Sequence, residues 1–151
     1  MNFLLNKGGA GKSLTRSKTA SEISKLMAGH IDLLEAYGAL LNTIGADEKA
    51  AGPVKVLQKG LRDDIPKLSE IILSAGAVPP RDSNPPKGDD VESLLRAVDK
   101  RERSLRRDLE EQLKLKHHLR TIAVLNTLLA GAERRIGDVQ TMAKQLSIPI
   151  S

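Results

Sequence analysis

The amino-acid sequence predicts an all-α protein, folded as one antiparallel four-helix bundle. Four segments repeat their apolar residues at alternating steps of three and four, which is the spacing of a helix packed in a bundle. The 151 residues include one Phe, one Tyr and no Trp, a composition that disfavours most β-rich folds. The length suits a single domain with a core of aliphatic side chains.

The composition also excludes several classes of protein. Hydrophobic residues make up 40% of the chain and charged residues 28%, as in soluble globular proteins. No apolar run approaches the ~18 residues that a membrane span needs, and the apolar stretch 3–5 is too short for a signal peptide. The sequence has no cysteine, which excludes disulfides and zinc-thiolate sites. We therefore expect a cytoplasmic protein without membrane contact.

Residues 1–18 are rich in Gly, Lys and Ser, and we expect them to form a flexible basic arm. This segment carries Lys7, Lys12, Arg16 and Lys18 and no acidic residue. A capping box, Thr19-x-x-Glu22, then predicts the start of the first helix. The bundle domain is accordingly assigned to residues 19–151.

The first helix is predicted over residues 20–44. Two of its seam positions are held by His30 and Tyr37 instead of aliphatic residues, and we expect Tyr37 to be a core residue with a hydrogen-bonded hydroxyl. Gly45 stands where a left-handed C-cap is expected. The apolar stripe is Ile23, Met27, Leu34, Leu41 and Ile44.

The second helix is predicted over residues 50–75, with Pro53 in its first turn and Gly76 at its end. A start at Asp47 also stays open. Asp64 occupies the central position of the stripe. Pro66 removes a backbone donor inside the helix, which predicts a kink. The stripe itself is Val54, Leu57, Leu61, Leu68, Ile71 and Ala75.

Residues 77–90 contain two Pro-Pro pairs and no apolar periodicity, so we interpret them as a crossover linker. Asp89 or Asp90 is expected to cap the third helix, predicted over 91–114, which has Glu102 in its seam. The fourth helix is predicted over 119–146. One continuous helix over 91–146 would be about 84 Å long, too long to fold back, so a turn is placed at 114–118. The seam residues are Leu95, Val98, Leu105 and Leu109 in the third helix, and Ile122, Leu125, Leu129, Ala132, Ile136, Val139, Ala143 and Leu146 in the fourth.

Two helical hairpins joined by a long connection form one of the known bundle topologies. The segment 68–79 resembles the end of the second helix in rubrerythrin-like and related small ferritin-like proteins, which often close with a Gly-x-x-Pro turn, here Gly76 to Pro79. The resemblance covers residues 20–147. It implies a ferritin-like bundle, whose metal-binding members hold two iron or manganese ions at mid-height.

Each of the first three stripes is interrupted near its midpoint by an ionisable residue: His30, Asp64 and Glu102. Glu133 lies near the midpoint of the fourth helix, one residue off the seam. Since midpoints of antiparallel helices lie at similar height, these four residues are predicted to form one polar layer.

The ferritin-like resemblance implies a metal-ligand set of two Glu residues and two Glu-x-x-His motifs. This sequence matches that set only in part. Leu61 and Asp64 stand where one Glu-x-x-His motif falls, and Ile136 replaces the histidine that should follow Glu133. We therefore expect no competent di-iron site and no cofactor.

Two arrangements of the polar layer remain open. In the first, His30, Asp64, Glu102 and Glu133 hold a single Fe, Mn or Zn ion, since imidazole and carboxylate suit these metals. In the second, which we favour, His30 pairs with Asp64. Glu102 is then matched by Lys100, Arg101 or water, because buried charges must be paired.

The segment Lys7-Gly-Gly-Ala-Gly-Lys-Ser13 resembles the deviant Walker A loop of ParA/MinD-type ATPases. In that reading the amide of Gly11 and its neighbours cradles phosphates, Lys12 neutralises them, and Ser13 reaches magnesium. A phosphate-binding loop needs a parallel sheet behind it, and no β-branched run follows. A flexible Gly/Lys arm is therefore the preferred interpretation.

A basic surface on the third helix suggests phosphate or nucleic-acid binding. Its residues are Arg101, Arg103, Arg106 and Arg107. Acidic residues are interspersed, which is typical of a solvated, salt-bridged helix face. Three functions therefore stay open. The first, which we favour, is a non-catalytic binding or structural bundle that self-associates. The others are a metal-binding oxidative-stress or storage protein and a nucleic-acid adaptor.

Overall fold

A computed structural model describes residues 13–45 and 48–150, and within these ranges the chain forms four α-helices and no strand. The helices are α1 (Arg16–Ile44), α2 (Ala51–Ser74), α3 (Val91–Leu113) and α4 (Leu119–Gln145). The all-α prediction is confirmed, and each predicted boundary lies within a few residues of the observed one. No helix of the described part is long and apolar enough to cross a membrane.

Local sequence signals set the helix ends. The Thr15 side chain accepts a hydrogen bond from the Lys18 amide at 3.1 Å, so α1 begins at Arg16 and the predicted cap at Thr19 is wrong. The last three residues of the predicted arm, 16–18, therefore belong to α1. Asp90 and Ser93 form a reciprocal capping box at the start of α3. Of the two predicted caps, Asp89 and Asp90, the second is therefore the cap. Gly45 ends α1 with a φ of +96°.

Proline has different consequences at its two positions in α2. Pro53 is the third helical residue, where the missing N–H has no partner to lose. Pro66 lies in the helix interior, and α2 nevertheless continues to Ser74. Leu61 and Leu68 of α2, on either side of Pro66 in the sequence, are fully buried. Packing of α2 against its neighbours thus maintains the helix where local propensity opposes it.

Each helix packs against two others: α1 against α2 and α3, and α4 against α2 and α3. A helix with two neighbours needs a wider apolar face than a single seam. This explains why α1 buries Leu26, Leu33, Ala36 and Leu40 in addition to predicted Ile23 and Met27, whereas Leu34 and Leu41 are only half-buried.

Contacts identify which helix ends lie together. The Leu14 amide donates to the Lys116 carbonyl at 2.9 Å, which joins the start of α1 to the α3–α4 turn. Arg16, Glu70 and His118 line one cavity, which places the end of α2 at the same position. We call this the His118 end of the bundle. At the opposite end, Val56 of α2 and Thr141 of α4 share another cavity.

The connection between α2 and α3 packs against the middle of the bundle. The Ser83 hydroxyl donates to Glu35 at 2.6 Å, and the Asn84 amide donates to Asp32. Arg101 of α3 binds the same Asp32 carboxylate at 2.8 Å. The connection is therefore tied to both α1 and α3.

Candidate functional site

The centre of the bundle contains five buried polar side chains, His30, Tyr37, Asp64, Glu102 and Arg135, which we call the polar cluster. Arg135 of α4 is 3% exposed and Glu102 of α3 is fully buried. The Arg135 Nε donates to Glu102 Oε2 at 2.7 Å, and Nη2 donates to Oε1 at 3.1 Å. This two-point pairing is the geometry in which a guanidinium binds a carboxylate most strongly.

Tyr37 of α1 also binds the Glu102 carboxylate. Its hydroxyl donates to Glu102 Oε2 at 2.7 Å, and its ring is fully buried. The prediction of a core tyrosine with a hydrogen-bonded hydroxyl is confirmed. Burial and the Glu102 charge raise the pKa of Tyr37 well above its ordinary value, so the phenol stays a proton donor at neutral pH.

Asp64 of α2 lies on the other side of the guanidinium. Its Oδ2 is 3.6 Å from Arg135 Nη1, and its Oδ1 accepts from Lys67 Nζ at 3.3 Å. One arginine therefore joins carboxylates from two different helices, and Lys67 supplies the second positive charge. The two acids and two bases balance in formal charge, as a buried ionic group requires.

His30 of α1 is fully buried and belongs to the cluster without pairing to a carboxylate. Its Nδ1 lies 2.7 Å from the Leu26 carbonyl. A carbonyl only accepts, so the proton is on Nδ1, and the Nε2 lone pair has no partner among the described residues. The predicted His30–Asp64 pair is wrong, because Arg135 and Lys67 already satisfy Asp64.

The charges of the cluster determine its protonation. Burial lowers the pKa of His30 to about 4, and the Arg135 charge acts in the same direction. Burial raises the pKa of Glu102, while Arg135 and Tyr37 oppose that shift. Burial by itself would lower the pKa of Arg135, but the Glu102 charge raises it above its ordinary value. Both Glu102 oxygens accept hydrogen bonds, from Arg135 and Tyr37, which is the pattern of an ionised carboxylate, and it lies beside a neutral imidazole.

The predicted metal layer is only partly assembled. Asp64 and Glu102 lie close together, and both contact the guanidinium of Arg135. Glu133 is exposed on α4 and does not join them. Within residues 13–45 and 48–150, no group of three or more His, Asp or Glu residues has the arrangement to hold a metal ion. The guanidinium supplies, between the two carboxylates, the positive charge that a metal would otherwise provide.

The predicted partners of Glu102 were also misassigned. Lys100 is exposed, and Arg101 binds Asp32 and the Asn84 carbonyl instead. A residue adjacent to Glu102 on a helix points about 100° away from it. Arg135 lies on the α4 face that includes Leu128, Ala132, Val139 and Met142, at steps of three and four. That spacing was the available signal for a buried arginine.

The predicted basic surface of α3 is not one free patch. Arg103 binds Asp99 through its Nε at 3.1 Å, and Arg101 is held by Asp32. Arg106 is half-buried and Arg107 is exposed. Of the residues predicted to bind nucleotide, Lys7, Gly11 and Lys12 lie outside the described residues, and Ser13 is exposed just before α1.

A second buried histidine, His117, lies in the turn between α3 and α4. Gln112 donates its amide to Glu22 at 2.7 Å, and the Gln112 oxygen lies 2.8 Å from His117 Nε2. Since the Glu22 carboxylate only accepts, the amide orientation is determined, and His117 must carry its proton on Nε2. This series of hydrogen bonds links α1, α3 and the turn between α3 and α4. The Gln112 hydrogen bond is the largest cause of the lowered pKa of Glu22, which is about 2.

Gly131 of α4 provides space for the contact between Asp64 and Arg135. A Cβ atom at Gly131 would lie 3.3 Å from Asp64 Oδ2 and 3.4 Å from Arg135 Nη1. Replacing Gly131 with alanine should therefore lower the free energy of unfolding by about 1–2 kcal/mol, because crowding outweighs the gain in helix propensity. Urea denaturation measures the change.

Gly137→Ala is the matched control in the same helix. Gly137 is exposed, and a Cβ there meets nothing within 4 Å. This variant should gain up to about 1 kcal/mol from helix propensity alone. Equal gains in both variants would show that the space beside Gly131 has no role in the cluster.

No protein-family model matches the chain, and no curated protein sequence matches it. Function is therefore inferred from the polar cluster and from the surface of the bundle.

Proposed function

We propose that this chain is a ferritin-like antiparallel bundle without a di-iron site, which acts as a non-catalytic binding or structural protein and self-associates. The observation that carries the proposal is Arg135, whose guanidinium is bonded to Glu102 and close to Asp64. A cation between these carboxylates would be repelled by the guanidinium at contact distance. The cluster would then serve to set the register of the helices, a known role of buried ion pairs.

The helix ends support the antiparallel, crossed-over topology. The start of α1, the end of α2 and the start of α4 share one cavity at the His118 end. Gln112, at the end of α3, binds Glu22, near the start of α1. In this arrangement α2 and α3 run in the same direction, so the connection over residues 75–90 must span the bundle, as in the ferritin-like topology.

Metal analysis of the purified protein tests the proposal. After incubation with Fe²⁺, Mn²⁺ or Zn²⁺ and desalting, wild-type protein should retain far less than one ion per chain. A chelator should leave its melting temperature unchanged, since only a ligand bound to the folded state adds stability.

The alternative is a metal-binding storage or oxidative-stress protein, and the free Nε2 of His30 is the observation that favours it. About one ion per chain, lost in a His30→Asn variant, would establish that alternative and overturn the proposal. His118→Asn is the matched control, because His118 is exposed on the surface.

Exposed aliphatic side chains support self-association. Leu119 is 87% exposed and Leu73 is 59% exposed, although single exposed aliphatics also occur on monomeric proteins. Sedimentation equilibrium measures the assembly, and a monomer throughout the micromolar range would remove this part of the proposal. The adaptor function is less favoured, because Arg101 and Arg103 of α3 already pair with acids.

A further inference from the structure

The turn between α3 and α4, residues 114–118, holds the segment that leads into α1. The Leu14 amide donates to the Lys116 carbonyl at 2.9 Å, and Leu14 itself is half-buried. Lys116 and His118 are exposed, whereas His117 between them is only 6% exposed. The buried ring of His117 therefore attaches to the bundle the same turn that binds Leu14.

Hydrogen bonds decide which nitrogen of His117 can take up a proton. The pKa of Glu22 is lowered to about 2, chiefly by the hydrogen bond from Gln112, so this carboxylate only accepts throughout the pH range in which histidines titrate. Glu22 thus keeps the Gln112 oxygen directed at His117 Nε2, which is 2.8 Å away. Nε2 is therefore always the donor, and a second proton can be added only at Nδ1.

The surroundings of His117 Nδ1 do not accommodate that proton. This nitrogen is buried and has no hydrogen-bond partner among the described residues. A buried N–H without an acceptor loses its hydrogen bond to water and gains none in the protein. A protonated His117 is therefore stable only when its ring leaves the bundle and Nδ1 reaches water.

Neighbouring charges do not remove this cost. Glu22 favours the charged form of His117, and His118 opposes it, but burial is the largest effect and lowers the pKa of His117 below its ordinary value of 6.5. Lys18 and Lys25 each lie 3.3 Å from the same Glu22 oxygen and offset its charge. The charged groups that α2 and α4 place beside His118 are opposite in sign: Glu70 and Arg120.

We propose that His117 is a pH-dependent switch, in which protonation of Nδ1 releases the turn 114–118 from the bundle and frees the segment that leads into α1. Residues 114–118 lie outside the helices, so their displacement breaks few backbone hydrogen bonds and costs less than opening a helix. The Leu14–Lys116 bond is lost with the turn. Acidification below pH 6.5 thus controls whether residues 13–15 stay attached at the His118 end.

The sign of the effect follows from proton binding. Between pH 6.5 and the lowered pKa of the closed state, the open turn binds a proton at His117 that the closed turn does not. Each pH unit in this interval therefore favours the open turn by up to about tenfold, and higher pH favours the closed turn.

Amide hydrogen exchange, followed by NMR on the full-length protein, tests the proposal. The protection factor of the Leu14 amide, which is corrected for the intrinsic exchange rate, should fall by up to about tenfold per pH unit below pH 6.5. The Ile148 amide, which donates to the Ala143 carbonyl, is the internal control and should change much less. Nitrogen-15 shifts of the imidazole should show the proton of His117 on Nε2 and a pKa below 6.5.

Variants connect the pH dependence to His117. In His117→Gln the new amide N–H can still donate to Gln112, but it does not titrate, so the Leu14 protection factor should lose its pH dependence. Lys116→Gln is the matched control in the same turn, because Lys116 is exposed and the variant keeps both its carbonyl and His117. Its pH dependence should equal that of the wild type. Circular dichroism shows whether each variant is folded.

Three results would each overturn this proposal. The first is a pKa of His117 at or above 6.5 in the wild-type protein. The second is a Leu14 protection factor that changes with pH no more than that of Ile148. The third is the wild-type pH dependence of Leu14 in His117→Gln. The first two need no substitution, so they decide the matter even if His117→Gln fails to fold.

Discussion

Replacing Arg135 with leucine should lower the free energy of unfolding by about 3–5 kcal/mol, the range for breaking a buried ion pair on one side. Glu102 would remain fully buried with only the Tyr37 hydroxyl as partner, and Asp64 would keep only Lys67. Urea denaturation at neutral pH measures the loss, and circular dichroism shows whether the helices persist.

Removing both partners should be much less harmful than removing one. In the double variant Arg135→Leu with Glu102→Leu, no uncompensated charge remains in the core, so most of the lost stability should return. Adding Tyr37→Phe removes the hydroxyl left without its acceptor and should recover more. If the single and double variants are equally unstable, the pair contributes through packing and not through charge.

Lowering the pH from 6.5 to 4 should remove on the order of 3 kcal/mol of stability through His30, since one unit of pKa difference corresponds to ~1.4 kcal/mol. The ordinary pKa of 6.5 falls to about 4 in the folded protein, because burial disfavours the charged imidazole. The unfolded chain therefore binds a proton in this interval that the folded chain does not, and acid favours unfolding. Urea denaturation at a series of pH values measures the slope.

The variant His30→Asn isolates this contribution. Asparagine does not titrate, so the slope between pH 6.5 and 4 should flatten whatever the absolute stability of the variant. His117, whose pKa burial also lowers, contributes with the same sign and accounts for part of the remaining slope. An unchanged slope in His30→Asn would show that His30 is not buried in its neutral form.

The sequence alone determined the four helices, their connections and the central position of four of the five members of the polar cluster, His30, Tyr37, Asp64 and Glu102. These features depend on local rules: apolar steps of three and four, the Asp90 cap, glycine and proline between the first three helices, and the length that one continuous helix over 91–146 would have. The position of Tyr37 in a seam was enough to predict a buried ring with a bonded hydroxyl. The boundary of α1 was missed because Thr15 and Thr19 are both chemically suited to cap a helix.

Only the tertiary structure decided the pairing inside the bundle. Arg101 is the immediate neighbour of Glu102 in sequence, yet it points toward Asp32, because successive helical residues diverge by about 100°. Arg135 is 33 residues away and meets Glu102 directly. Which cation meets a buried carboxylate depends on the rotation and relative height of two helices, and packing of the whole core sets both quantities. The same dependence separates His30 from Asp64.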